Sequence, residues 1–148
     1  GLAWICVGRA VVWLGDTGAY LGGRAFGRHK LHERVSPKKT WEGALSGLIT
    51  SVAAALVMRE AFRRLDLWEG PLLRIADCVA VAVFAGILGQ VGDLAESLLK
   101  RAVGVKDSGT MFPGHGGMLD RIDALLFALP GVYFYAKFVI SRFPLTQA

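Results

Sequence analysis

The sequence predicts an all-α fold: a polytopic integral membrane helical bundle, with about four transmembrane helices joined by Gly-rich cytoplasmic loops. Three observations carry this. The 148 residues are 53% hydrophobic and 20% charged, with a mean hydropathy of +0.45, where soluble domains run about 45–50% apolar and about 25% charged. Charge is absent from three long windows, 44–58, 78–92 and 124–136. The net charge of +5 is concentrated in residues 21–40, where Arg24, Arg28, Lys30, Arg34, Lys38 and Lys39 face Glu33 alone. Such hydrophobicity excludes intrinsic disorder, and the charge-free windows argue against a soluble enzyme with evenly salted helices.

A membrane-spanning helix needs about 20 mostly apolar residues. The first span, Leu2 to Gly15, is apolar apart from Arg9. At 1.5 Å per residue it covers about 21 Å, so its start is expected upstream. No basic stretch precedes Leu2, which is not a signal-peptide layout. The chain therefore reads as a single C-terminal membrane domain, 1–148, of a longer protein. Arg9 either faces an internal cavity or snorkels. The second span, Trp41 to Met58, has Glu42 as its one charge, and the third, Leu72 to Gly92, has Arg74 and Asp77 near its start. The fourth, Ile122 to Ile140, carries Lys137 late and a Pro130-Gly131 pair expected to kink it. Trp13, Trp41 and Trp68 sit at segment edges, as interfacial aromatics do. A soluble bundle of buried helices is the competing reading. Cys6 and Cys78 lie in apolar stretches without a pairing pattern and read as small hydrophobes within helices.

Loops one (16–40) and three (93–121) must share a side. They hold six and four Lys/Arg, against Arg59, Arg63 and Arg64 in loop two (59–71). The positive-inside rule puts loops one and three in the cytoplasm.

Loop three holds the densest chemistry. Asp93, Glu96, Ser97 and Lys100 are spaced i, i+3, i+4, i+7 and share one helix face. Two carboxylates, a hydroxyl and an ammonium suit a divalent cation with phosphate oxygens; a solvated helix end with a salt bridge is the plainer reading. Gly104, Gly109, Gly114, Gly116 and Gly117, with Pro113, break helix and expose backbone N–H groups that can nest an anion. Asp120 and Asp123, with Arg121, open the fourth span on one face; they suit either the helix dipole or a metal–phosphate site at the membrane boundary.

These residues resemble the signature of the phosphatidate cytidylyltransferase (CDP-diacylglycerol synthase) family. The pattern is Ser97-x-Leu99-Lys100-Arg101, then Lys106-Asp107-x-Gly109, then Phe112-Pro113-x-His115-Gly116-Gly117-Met118-x-Asp120-Arg121-Ile122-Asp123, with no departure across residues 97–123.

Loop one supports the resemblance. It begins Gly15-Asp16-Thr17-Gly18-Ala19-Tyr20 and ends Ser36-Pro37-Lys38-Lys39-Thr40-Trp41-Glu42-Gly43, similar to the family's Asp-x-x-Ala-Tyr and Ser-Pro-x-Lys-Thr-x-Glu-Gly elements. Ser36 is a candidate N-cap with Pro37 at N1. A helix N-terminus with two lysines and a Thr can cradle a triphosphate, while the basic run also suits anionic lipid headgroups. His29 and His32 fall outside both elements and read as solvated.

The resemblance, over residues 15–123, implies a catalytic membrane domain. The reaction it implies is CTP plus phosphatidate giving CDP-diacylglycerol and pyrophosphate, in phospholipid biosynthesis. It implies Mg2+, with or without a second cation, held by Asp93 and Asp120, with Asp107, Asp123 and Glu96 as neighbours or further ligands. Lys100, Arg101, Lys106 and Arg121 would hold phosphates beside these catalytic carboxylates. Asp16, Ser36, Lys38, Lys39 and Thr40 would bind the nucleotide, with Ser97, His115, Gly116 and Gly117 as further substrate contacts. His115 serves either loop structure or a phosphate hydrogen bond, because a phosphate nucleophile ionised near neutral pH needs no strong base. The implied partners are CTP, phosphatidate, the lipid bilayer and a second copy in a homodimer, and not nucleic acid. The implied location is a bacterial plasma (inner) membrane with the site on the cytoplasmic face. Two other readings compete: a CTP-dependent polyprenol- or phytol-type lipid kinase, and a non-enzymatic scaffold that binds anionic lipid. The CDP-alcohol phosphotransferases are discounted, because Asp16-Thr17-Gly18-Ala19-Tyr20 lacks the Gly and Arg of their element.

Overall fold

The computed structural model describes residues 2–32, 35–67, 74–105 and 119–139. The chain is mostly helical: α1 (Leu2–Phe26), α2 (Trp41–Arg64), α3 (Ile75–Ala102) and α4 (Leu119–Phe134), the last continued by a π-helical turn over Tyr135–Val139. A two-stranded antiparallel ribbon, β1 (Lys30–His32) and β2 (Ser36–Thr40), sits between α1 and α2. It qualifies the expected all-α class. Lys30 pairs with Thr40 and His32 with Ser36, with an irregularity between the two pairs.

Two of the four expected spans, α2 and α3, are long and apolar enough to cross a membrane. The apolar stretch Ala124–Lys137 is shorter, and α1 is interrupted by Arg9, Asp16 and Arg24.

The expected boundary at Gly15 is corrected, since α1 runs 11 residues further, to Phe26. The glycines after Gly15 mark a helix seam rather than a loop. A β-carbon at Gly22 would overlap Ser46, one at Gly18 would overlap Thr50, and one at Gly15 would overlap Ser51. A β-carbon at Gly47 would lie 2.9 Å from both Ala19 Cβ and the Gly15 carbonyl oxygen. The pairs descend in opposite directions along the two chains, so α1 and α2 are antiparallel. Small residues let helix backbones approach closely. The hydroxyls on the α2 side are turned inward on its own backbone: Ser46 Oγ donates to Glu42 O and Thr50 Oγ1 to Ser46 O, each at 2.8 Å. Ser51 Oγ instead crosses the seam, donating to Val11 O at 3.0 Å.

The N-cap of α2 is Thr40, not Ser36. Thr40 is extended (φ −128°, ψ 155°) and its Oγ1 accepts from Gly43 N at 3.1 Å. Ser36 and Pro37 belong to β2, so the lysines of this element lie on a strand that enters the helix, not on its first turn. The far end of α2 closes on Glu60, which accepts from Arg63 Nε and Nη2 at 2.9 and 2.6 Å and from Arg64 Nε at 2.8 Å.

α3 extends ten residues past the expected end at Gly92, so the stripe from Asp93 to Lys100 is helical, as its spacing predicts. The helix stops at Gly104, whose φ of +72° is the left-handed conformation glycine adopts without strain. α4 runs antiparallel to α3. Ala124 lies against the backbone at Gly89, and Gly131 against Leu88 and Phe84. The core is built from Val7, Val11, Val12, Ala55, Cys78, Val81, Ala82, Ala85, Ala124, Ala128 and Val132. These are small side chains on all four helices, and Cys78 is one of them, as expected.

The seam makes a quantitative prediction. Gly18→Leu overpacks α1 against Thr50 and is expected to cost about 1–3 kcal/mol, read as a lowered thermal unfolding midpoint of the full-length protein in detergent. Val57→Leu, on an exposed position of α2, is expected to leave the midpoint in place. An unchanged midpoint for Gly18→Leu would contradict the seam.

Candidate functional site

A cleft of about 470 Å3 opens where the seam meets the ribbon, a size within the usual range for small-molecule sites. α1 lines it with Asp16, Ala19, Tyr20, Gly23 and Arg24. The ribbon adds Leu31, Ser36, Lys38, Lys39 and Thr40. The start of α2 adds Gly43 and Ala44, and α3 closes it with Gln90 and Asp93. Asp93, from the stripe that runs into the 97–123 signature, thus shares one cavity with residues of both loop-one elements.

The ribbon is pinned by Glu42. Its Oε2 accepts from the backbone N–H groups of Arg28 and His29 at 3.2 Å each, and its Oε1 lies 2.6 Å from His29 Nδ1. The backbone of Trp41 donates to His29 O at 3.0 Å. His29 is solvated, as expected, with its side chain 77% exposed, and it is also tied to the Ser36–Gly43 element through Glu42. His32 is exposed, as expected.

Lys39 reaches across the cleft to Asp93, with Nζ 2.5 Å from Oδ2. Among the described residues, Arg24 and Lys38 are the other cations on the cleft wall, and Asp16 the other carboxylate. Phosphates would therefore meet these cations, while the two carboxylates offer hard oxygens for a divalent metal. Thr40 is buried and its hydroxyl is engaged in the cap. Ser36 is half-buried on the wall.

The rest of the α3 stripe diverges from this cavity. Glu96 is buried and pairs with Lys100 at 3.3 Å. Ser97 is half-buried and Arg101 exposed; none of these four lines the cleft. Asp120, Arg121 and Asp123 lie on the first turns of α4. The antiparallel contact of Gly89 with Ala124 brings that end of α4 to the level of the Asp93 turn. Lys106, Asp107, His115, Gly116 and Gly117 lie outside the described residues. Among the described residues, no group of three His, Cys, Asp or Glu is arranged to hold a metal.

Sequence reasoning passed over Gln90, whose Nε2 donates to Ala44 O at 3.1 Å and fixes α3 to the start of α2. The available signal was a lone polar side chain in the charge-free window 78–92. Leu31 was passed over as well, because an apolar wall residue carries no distinguishing chemistry, whereas Tyr20 stood in the Asp-x-x-Ala-Tyr element without a role assigned to it.

A model of the cytidylyltransferase family matches residues 1–139. The chain belongs to that family. Its relatives include the phosphatidate cytidylyltransferase of Staphylococcus haemolyticus, 48% identical over 131 residues (88% of this chain and 47% of that protein). That of Brucella suis is 44% identical over 126 residues (85% and 44%). That of Bacillus subtilis is 41% identical over 134 residues (90% and 47%). The chain spans about half the length of these curated relatives. The family match covers both motif regions on which the resemblance was drawn.

The Glu42 clamp yields a local prediction. In Glu42→Ala, amide hydrogen exchange at Arg28 and His29 is expected to accelerate while the α3 amides of 81–89 keep their protection. Unchanged protection at Arg28 and His29 would show that the ribbon is held by other means.

Proposed function

We propose that this chain forms the catalytic part of a membrane-integral phosphatidate cytidylyltransferase, joining CTP to phosphatidate to give CDP-diacylglycerol and pyrophosphate. The observation that carries this reading is the shared cleft. It gathers Asp16, Ser36, Lys38, Lys39 and Thr40 from the two loop-one elements and Asp93 from the α3 stripe that precedes the 97–123 signature. The names of the relatives agree with it.

In this reading a phosphate oxygen of the lipid attacks the α-phosphorus of CTP. A new P–O bond forms, the bond to the β-phosphate breaks, and pyrophosphate leaves. Both reactants are anionic, so the first task is to cancel repulsion. Arg24, Lys38 and Lys39 would take the phosphate charge, Lys as a compact point charge with three donors. The nucleophile needs no base, which suits a cleft with no histidine on its described wall.

Asp16 and Asp93 have the right chemistry for magnesium, and Asp120 and Asp123 stand on the adjacent turns of α4 as candidates to complete its ligands. Bound there, the metal would supply Lewis-acid polarisation of the phosphates. Lys106, Asp107 and Arg121 keep the roles that the resemblance implies. The cleft lies beside the basic segment, which supports a cytoplasmic face by the positive-inside rule, and the bacterial relatives suit a bacterial plasma (inner) membrane. A lipid would then enter sideways, from the bilayer.

The test uses the full-length protein in detergent with phosphatidate, magnesium and labelled CTP. Label at the α-phosphate is expected in the lipid, and label at the γ-phosphate in pyrophosphate. Asp93→Asn is expected to reduce lipid labelling by about 100-fold or more. Transfer of γ-label to lipid would indicate a kinase, and near-normal turnover of Asp93→Asn would remove Asp93 from the site.

A further inference from the structure

Lys39 and Asp93 belong to the two walls between which a nucleotide must fit. Lys39 is the penultimate residue of β2, and Asp93 lies on α3. Their side chains are 26% and 36% exposed, and both border the cleft. The ammonium lies 2.5 Å from Oδ2, the position from which that oxygen would ligate a cation. One turn further along α3, Glu96 is occupied by Lys100.

An ammonium and a divalent cation compete for one carboxylate. A cation ligated by Oδ2 takes the place of Nζ. One ligated by the other oxygen leaves like charges a few ångströms apart in a partly desolvated cleft. Lys39 therefore loses this partner when Asp93 accepts a metal. Its four-carbon stem lets the ammonium swing, and the same cleft is where a triphosphate would lie, beside Lys38 and Arg24.

We propose that Lys39 is an exchange latch: it holds Asp93 until a nucleotide phosphate takes over the ammonium, and so makes metal binding and nucleotide binding cooperative. This rests on the nucleotide and metal reading of the cleft given above. A metal arriving alone must break the pair and leave an ammonium with nothing in exchange. A metal arriving with CTP brings the phosphate that receives it. Linkage makes the effect reciprocal, so metal tightens CTP as much as CTP tightens metal. Lys39 is thus a positioning residue toward the metal as well as a phosphate contact.

The probe is Mn2+, followed by the electron paramagnetic resonance of the free ion. The full-length protein in detergent is used without phosphatidate, correcting for Mn2+ held by free CTP. Lys39→Met is expected to bind Mn2+ alone about three- to tenfold more tightly than wild type, from the value of an exposed ion pair upward. The tightening of Mn2+ by CTP is expected to shrink in this variant. Lys39→Gln should move the same way and serves if Lys39→Met does not fold. Equal or weaker Mn2+ affinity in the Lys39 variants, with binding lost in Asp93→Asn, would overturn the latch while leaving the metal assignment intact. Mn2+ binding unaffected by Asp93→Asn would overturn both.

Discussion

The close approach of α1 and α2 is the constraint on which the rest of the structure depends. Gly15, Gly18 and Gly22 on one helix meet Ser51, Thr50 and Ser46 on the other, with no room for a β-carbon on the α1 side. Ser46 and Thr50 hydroxyls bond their own helix, so they present small, satisfied surfaces to the seam. That lets α1 continue past Asp16 to Phe26 alongside the start of α2. Asp16 and Arg24 are thereby carried up one wall of the cleft, and the ribbon is folded back over α2 with Glu42 as its clamp.

The charges follow from this frame. Two antiparallel helices and a ribbon bring Arg24, Lys38 and Lys39 together, and α3, fixed by Gln90 on Ala44, supplies Asp93 opposite them. The basic segment that dominates the net charge therefore lines a cavity that also holds the carboxylates of Asp16 and Asp93. The Lys39–Asp93 ion pair joins the ribbon to α3 across this cleft.

Much of this was legible in the residues. The charge-free windows located α2 and α3, the i, i+3, i+4, i+7 spacing from Asp93 to Lys100 was helical, and Asp16, Ser36, Lys38, Lys39, Thr40 and Asp93 line one cleft. What was not legible has a common cause. Glycine can open a loop or admit a neighbouring helix, and local sequence does not say which; the run Gly15–Gly23 was read as the first when it is the second. Ser36-Pro37 is a good helix start in isolation, but strand pairing with Lys30–His32 claimed it and moved the cap to Thr40. The stripe on α3 looked like one chemical unit, yet Glu96, on the same face as Asp93, lies one turn further along, outside the cleft lining and buried against Lys100. His29 had no motif to mark it, since its partner lies 13 residues away.

The central claim is that the α1–α2 seam, the ribbon and the Asp93 turn enclose a single triphosphate site. It is tested most directly by photocrosslinking the full-length protein with a CTP analogue reactive at its γ-phosphate, and mapping the adducts by mass spectrometry. Adducts within residues 16–24, 36–44 and 90–93, competed away by CTP, are the result this account predicts. Adducts absent from those segments and gathered instead at the groove of Leu56 to Leu65, at the opposite end of α2, would contradict it.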